Sequence, residues 1–323
     1  MIAALVPKVE LHAHLHGSIR ESTLRVFLEE EQRTLELGVS RTLEDCFRMF
    51  AAIHEVVNTE DRVRRIAREA VQDMARDHVV YVEFRSTPRA LPGKWTKYEY
   101  VSFVVDELES AAKRSGIEAK LLLSIDRGSN SLEDALDTVE LATKFEGSVV
   151  GIDFSGNPTK NDFKMYLESF ERARELGLKT TVHFAEVFNE EDAQAILDFG
   201  PDRLGHACCL NESLLKQIVE KRIPIEICPT SNLMTRPEIK SYGNHPVMDF
   251  LSANHPISVC TDDSGVFGVS LTHVWARVFV AFNVPMSQVL RMVECSIEFI
   301  FSDEESRSRI RRRLEEFKLS HES

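Results

Sequence analysis

Short apolar runs rich in β-branched and aliphatic residues recur along the chain at 8–14, 79–85, 120–126, 149–154, 178–183, 203–206, 223–228 and 257–261. Between them apolar positions fall at i, i+3, i+4 spacing, as in 132–141, 163–176 and 193–197, the mark of helices with one buried face. Gly116, Gly147, Gly177, Gly200, Pro201, Pro224 and Pro256 punctuate the junctions. Alternating strand and helix predicts parallel βαβ units, and eight of them predict an α/β fold, a (β/α)8 TIM barrel, which takes about 250 residues. One interval breaks the rhythm. About 65 residues separate the first two runs, far more than one crossover needs. Within it 21–30, 43–57 and 61–76 read as helices. An insertion after a strand's C-terminal end sits over the active-site face, so the sequence predicts one barrel domain, 1–323, with a helical lid at about 20–77. The tail, 303–317, reads as a charged surface helix.

The polar residues within this pattern fall at strand ends. The first run closes with Glu10-Leu11-His12-Ala13-His14, and alternation puts Glu10, His12 and His14 on one face. The fifth run ends at His183, the sixth at His206 and the eighth in Thr261-Asp262-Asp263. A barrel gathers all strand C-termini at one mouth. Three histidines and an aspartate meeting there supply nitrogen and oxygen donors suited to zinc. Glu186, three residues after His183, is a carboxyl placed to give or take a proton beside that centre. His206 is placed to orient or deprotonate a water there, and Asp263, pointing away from its neighbour Asp262, to contact substrate.

Composition narrows the reading. The 39 basic and 52 acidic residues leave a net charge of −13, which argues against nucleic acid as a partner but leaves room for one small anion met by local cations. No apolar run approaches the roughly 20 residues of a membrane span, and residues 1–7 lack the features of a signal peptide, so no membrane association is expected. The six cysteines, Cys46, Cys208, Cys209, Cys228, Cys260 and Cys295, form no CxxC pair and predict reduced thiols in a cytoplasmic protein.

The chain resembles the adenosine deaminase family of metal-dependent amidohydrolase barrels. The resemblance rests on Pro7-Lys8-Val9-Glu10-Leu11-His12-Ala13-His14-Leu15-His16-Gly17, Ser155-Gly156-Asn157-Pro158, His183 with Glu186, Gly205-His206, Thr230-Ser231-Asn232 and Thr261-Asp262-Asp263, in family order over most of the chain. Ser86-Thr87-Pro88-Arg89, Leu123-Ser124-Ile125-Asp126-Arg127 and Asp262-Asp263-Ser264-Gly265-Val266-Phe267 resemble the adenosine deaminase-like branch, which acts on N6-methyl-AMP. The resemblance implies one Zn2+ per chain held by His12, His14, His183 and Asp262, lowering the pKa of a water to about 7. It implies that Glu186 protonates purine N1, that His206 steers the water, that Asp263 holds N7, and that the backbone of Gly156 approaches N3. His14 and Asp126 are expected to border the substrate as well.

The implied reaction is hydrolytic removal of the N6 amino or alkylamino group of a purine nucleoside monophosphate, N6-methyl-AMP to IMP and methylamine. The alternative is an adenosine deaminase acting on the unphosphorylated nucleoside. Nucleoside-acting members carry an aspartate two positions after the second metal histidine, where this chain has His16, able to donate to a phosphate. Ser86, Thr87, Pro88 and Arg89 follow the second strand as further phosphate contacts, and His54 in the lid matches a substrate-contacting histidine of the nucleotide branch. The chain departs from the family at Ala185, where glycine is usual, at His16, where the branch more often has asparagine, and at Val274, which replaces a frequent glutamate. Barrel hydrolases with two metals often use a carboxylated lysine at a strand end, and no strand end here presents one near the histidines. Intact Glu186 argues against a non-catalytic binding relative. A monomer is expected.

Overall fold

The structure, a computed structural model, describes residues 4–35 and 41–321. Eight strands form one parallel sheet in sequence order: β1 (Lys8–His14), β2 (Val79–Ser86), β3 (Glu118–Asp126), β4 (Val149–Ser155), β5 (Lys179–Phe184), β6 (Arg203–His206), β7 (Ile225–Ile227) and β8 (Ile257–Val259). The sheet closes just past β8. Asp262 N donates to His12 O at 2.8 Å and His14 N donates to Asp262 O at 2.9 Å. The predicted (β/α)8 barrel is the fold, and the backbones of three of the expected metal ligands, His12, His14 and Asp262, make its closing seam. β7 and β8 are shorter than the apolar runs that announced them. Pro229, in the first turn of the helix after β7, cannot continue a ladder.

Between β1 and β2 lie α1 (Glu21–Glu30), α2 (Leu43–Val56) and α3 (Glu60–Arg76). Outside them α4 (Lys97–Ser115), α5 (Leu132–Ala142), α6 (Leu167–Glu175), α7 (Glu190–Phe199) and α8 (Glu212–Lys221) link successive strands. Then α9 (Pro229–Thr235) and α10 (Val247–Ser252) join β7 to β8, and α11 (Ser264–Phe267), α12 (Leu271–Phe282), α13 (Met286–Phe299) and α14 (Glu304–His321) follow. Local sequence sets the boundaries. Thr42, Thr96 and Ser131 each close a capping box with an acid three residues on, which satisfies first-turn N–H groups, and Gly116 and Gly200 end α4 and α7 in the left-handed region.

The stretch 20–77 divides in two. Helix α3 buries Val63, Ile66, Ala67, Ala70, Val71 and Met74 and is tied to α4 by Arg68 Nε to Glu107 Oε1 at 2.8 Å, so it takes the ring position of the first crossover. Helices α1 and α2 are the surplus, and α2 hangs over the barrel mouth. Residues 36–40 of that stretch, with 1–3 and 322–323 of the expected domain, lie outside the described residues. Helix α14 is charged as expected, yet Ile310, Leu314 and Phe317 are buried, and Arg309 pairs with Glu118 of β3 at 2.9 Å.

The barrel interior departs from the usual aliphatic layers. Arg203 Nη2 donates to Glu83 Oε2 at 2.5 Å and its Nε to Glu226 Oε1 at 2.6 Å. Arg85 donates to Glu226 Oε2 and to Asp153 Oδ1, both at 2.8 Å. Burial disfavours each carboxylate, but the two guanidiniums reverse that and hold Glu226 well below its usual range. These five charges form a ladder up the barrel axis that ends at the functional face.

Candidate active site

A cavity of about 440 Å³ opens at the C-terminal end of the strands. Its floor holds His12, His14, His183 and Asp262, with one ligand atom of each lying within 4.8 Å of the others. His14 Nε2 and His183 Nε2 face each other at 3.0 Å, and Asp262 Oδ1 lies 3.5 Å from His12 Nε2 and 3.3 Å from His14 Nε2. Buried His12 Nε2 has no hydrogen-bond partner among the described residues. An orphaned imidazole nitrogen, two more nitrogens face to face and a carboxylate turned toward them suit a cation at their centre, and three nitrogens with one oxygen suit zinc.

The outer nitrogens of two of these rings are already engaged. His12 Nδ1 meets Glu226 Oε2 at 2.6 Å, and His183 Nδ1 meets Asp153 Oδ1 at 3.1 Å. A carboxylate at Nδ1 fixes the tautomer that leaves Nε2 free to bind a metal. Arg85 touches both carboxylates, so one side chain at the end of β2 joins the supports of two candidate ligands. Glycine matters at Gly205: a Cβ there would lie 2.8 Å from His12 Cε1.

His206 stands beside the cluster with its tautomer set from a distance. Val247 N donates to His245 Nδ1 at 3.1 Å, which makes His245 Nε2 the donor to Asn232 Oδ1 at 3.1 Å. Asn232 Nδ2 is left to donate to His206 Nδ1, also at 3.1 Å. Neutral His206 therefore carries its proton on Nε2, a buried atom with no partner among the described residues, 3.6 Å from Glu186 Oε2. The arrangement makes His206 a hydrogen-bond donor toward the cavity.

Burial, with Asp262 nearby, raises Glu186, which favours a protonated carboxyl. Burial and then Asp262 and Glu186 push Asp263 well above its usual range, and its Oδ1 is without a partner among the described residues. A neutral Asp263 can donate to an acceptor nitrogen such as purine N7. Gly156 (φ +96°) brings its backbone to the cavity, where a Cβ would meet Asp126 Oδ1 at 2.2 Å. That carboxylate shapes the turn after β3 by accepting from Gly128 N at 2.7 Å.

The far end of the cavity gathers His16, His54, Ser86, Thr87 and Arg89. Pro88 is buried in the turn behind them and does not line the cavity. Ser86 Oγ is bonded to Tyr100 OH at 2.6 Å. His16 and His54 pack edge to face at 5.0 Å between ring centroids. Burial, then Arg89, lowers His54 to about 4. Arg89 Nη1 donates to His54 O at 3.0 Å and Nη2 to Val57 O, so this guanidinium holds the last turn of α2. His16 Nε2 and Arg89 Nε, both buried, have no partner among the described residues.

Sequence reasoning missed Arg85, Asp153 and Glu226, and assigned no role to Asn232 or His245. Leu43, Cys46, Phe47 and Phe50 of α2, with Phe267, form an apolar wall over the floor that it also missed. A signal existed for the first three: a charge inside an otherwise apolar parallel strand is anomalous unless it is paired.

A closed barrel with a histidine and aspartate cluster at its mouth defines a metal-dependent hydrolase site. Residues 7–317 match the family model described as adenosine deaminase, and the chain belongs to that family, which is metal-dependent. It is 34% identical to the N6-methyl-AMP deaminase of Homo sapiens, the alignment covering 97% of this chain and 94% of the relative. The apo structure of the N6-methyl-AMP deaminase from Arabidopsis thaliana superposes with a TM-score of 0.92 at 36% identity, covering 99% of both chains. The structure of Arabidopsis ADAL complexed with IMP gives a TM-score of 0.92 at 35% identity, again over 99% of both. Among the described residues no helix is long and apolar enough to cross a membrane.

Proposed function

We propose that this chain is a zinc-dependent aminohydrolase that converts N6-methyl-AMP to IMP and methylamine. The observation that carries the nucleotide reading is the pair of unpartnered buried nitrogens, His16 Nε2 and Arg89 Nε, at the end of the cavity opposite the candidate metal floor. A 5′-hydroxyl needs one hydrogen bond, whereas a phosphate needs several donors and cationic character. The relatives named for N6-methyl-AMP, and one solved with IMP, support the same substrate.

His12, His14, His183 and Asp262 would hold one zinc ion. When bound, that ion supplies Lewis-acid activation of a water at neutral pH. The chain's own groups do the rest. Protonated Glu186 gives its proton to purine N1, which draws electron density from C6. His206 donates from Nε2 to the oxygen that adds at C6. Neutral Asp263 donates to N7 and sets the plane of the base, while Gly156 lets the chain lie close along its N3 edge. The C6–O bond forms and the C6–N6 bond breaks; of the two protons of the added water one leaves on the amine and the other restores Glu186, whose own proton stays on N1. The apolar wall of α2 excludes bulk water from the reacting end of the cavity, so α2 acts as the lid. One chain completes this site, which supports action as a monomer, and six free thiols fit a cytoplasmic setting.

The test is turnover of N6-methyl-AMP, AMP, N6-methyladenosine and adenosine by the zinc-loaded protein, followed by ultraviolet absorbance. Preference for N6-methyl-AMP is expected. Preference for either nucleoside would overturn the proposal in favour of an adenosine deaminase.

A further inference from the structure

Directly behind Glu186 lies a second chemical feature that the proposed deamination does not use. After β6 the chain runs through His206 and Ala207, both left-handed at φ 63° and 53°, into the adjacent thiols of Cys208 and Cys209. Cys208 Sγ donates to Ala185 O at 3.5 Å and Cys209 Sγ to Glu186 O at 3.4 Å. Cys209 N also donates to Ala185 O at 2.7 Å. Ala185 itself sits at φ 49°, in the left-handed region that non-glycine residues rarely adopt. The two thiols thus clamp a strained peptide whose next side chain is the candidate proton donor.

Cys209 has a cation against its sulfur. Arg236 Nη2, one residue past α9, donates to Cys209 Sγ at 3.2 Å. Glu238 reaches both groups from the solvent side, its Oε1 4.0 Å from the sulfur and 3.9 Å from Arg236 Nε, more distant than Arg236 Nη2 is from the sulfur. A guanidinium beside a thiol stabilises the thiolate. The hydrogen bond with Cys208, then Arg236, lowers Cys209 below its ordinary range. The other five cysteines differ. Cys46, Cys208, Cys228 and Cys260 are buried. Cys295 is exposed, but burial of its sulfur and then Glu294 raise it.

We propose that Cys209 is a peroxide-reactive modification site whose oxidation stops turnover by displacing Glu186. The thiolate sulfur attacks one oxygen of a hydroperoxide, the S–O bond forms and the O–O bond breaks. The leaving oxygen takes a proton from solvent. Sulfur is oxidised to the sulfenic acid and the peroxide is reduced. Cys208 is a poor resolving thiol, because neighbouring Cα atoms about 3.8 Å apart are too close for an unstrained disulfide. The sulfenic acid therefore waits for an external thiol. Its added oxygen crowds the 3.4 Å contact between Sγ and the Glu186 carbonyl, which pushes the 186–187 peptide, and Glu186 with it, away from the sulfur.

The experiment treats the intact protein with hydrogen peroxide, traps sulfenic acid with a cyclic 1,3-dione, and locates the adduct by peptide mass spectrometry while turnover is followed in parallel. Cys209 is expected to be trapped first, ahead of the more exposed Cys295, with turnover lost in proportion and restored by a small thiol when the dione is omitted. Arg236→Met removes the cation from the sulfur and should slow trapping severalfold. Cys209→Ser should keep most of its turnover and resist peroxide. Trapping at Cys295 first, or complete trapping at Cys209 with turnover unchanged, would overturn the proposal. The order of trapping needs no substrate, so its failure is distinguishable from failure of the deaminase reading on which the turnover readout rests.

Discussion

The two ends of the cavity are built by different means. At the floor, three imidazoles stand at strand ends and their outer nitrogens are held by buried charges or a fixed hydrogen-bond chain: His12 by Glu226, His183 by Asp153, His206 by Asn232. At the far end, His16 comes from the turn after β1, Arg89 from the turn after β2 and His54 from the overhanging α2. Arg89 uses two of its nitrogens to hold α2 in place. The three imidazoles are thus braced from within the barrel, while the far end is assembled from turns and an overhanging helix. A buried ladder tolerates little change, because removing one partner of a buried ion pair costs about 3–5 kcal/mol. A few donors on turns can be exchanged with smaller loss, so under the proposed function the floor would set the reaction and the far end would tell nucleotide from nucleoside.

The floor is where single substitutions should cost most. Glu186→Gln keeps the shape and removes the proton, so kcat on N6-methyl-AMP should fall about 10²- to 10⁴-fold with KM little altered. Wild-type turnover in the metal-loaded variant would show that Glu186 is not the donor. Arg85→Lys comes next. Lysine preserves the positive charge but cannot span Glu226 and Asp153 together, so the two histidine supports lose their common brace. Zinc affinity should drop about 10- to 100-fold, read by competition with a chromophoric chelator, while the far-ultraviolet circular dichroism stays native. Unchanged affinity in a folded Arg85→Lys variant would mean that Asp153 and Glu226 hold their histidines without it.

The same contrast decides what could be read from sequence. The barrel was legible because strands buried on both faces produce apolar runs, and the floor was legible because His12, His14, His183 and Asp262 are polar interruptions at the ends of those runs. The braces beneath were harder. Arg85, Asp153 and Glu226 are brought together by closure of the sheet from β2, β4 and β7, contacts that no local spacing encodes. The His245–Asn232–His206 chain is equally non-local, and its direction depends on one backbone N–H at Val247. Sequence periodicity groups helix α3 with α1 and α2, because it reveals a buried face without saying whether strand or cavity lies against it. Pro88 shared a motif with residues that reach the cavity, but proline offers no donor and its ring packs into the turn.

The smallest expected effect is the one that tests the far end directly. His16 lies at the cavity wall with Nε2 unpaired among the described residues and its ring against His54. His16→Asp replaces a neutral donor with a carboxylate at the position where the nucleoside-acting enzymes carry one. Against a phosphate dianion the new charge is repulsive, and near a protein surface two like charges 4 Å apart differ by up to about 4 kcal/mol before solvent and counterions reduce it. A drop of about 10- to 100-fold in kcat/KM for N6-methyl-AMP is therefore expected. For N6-methyladenosine the carboxylate can accept from the 5′-hydroxyl, so kcat/KM should hold or rise, and the ratio of the two constants is the quantity to measure. Because the metal floor and Glu186 are untouched, kcat on the nucleoside monitors their integrity in the same preparation. An equal fall on both substrates would place His16 away from the 5′ end of the substrate, leaving Arg89 and His54 as the groups to meet the phosphate.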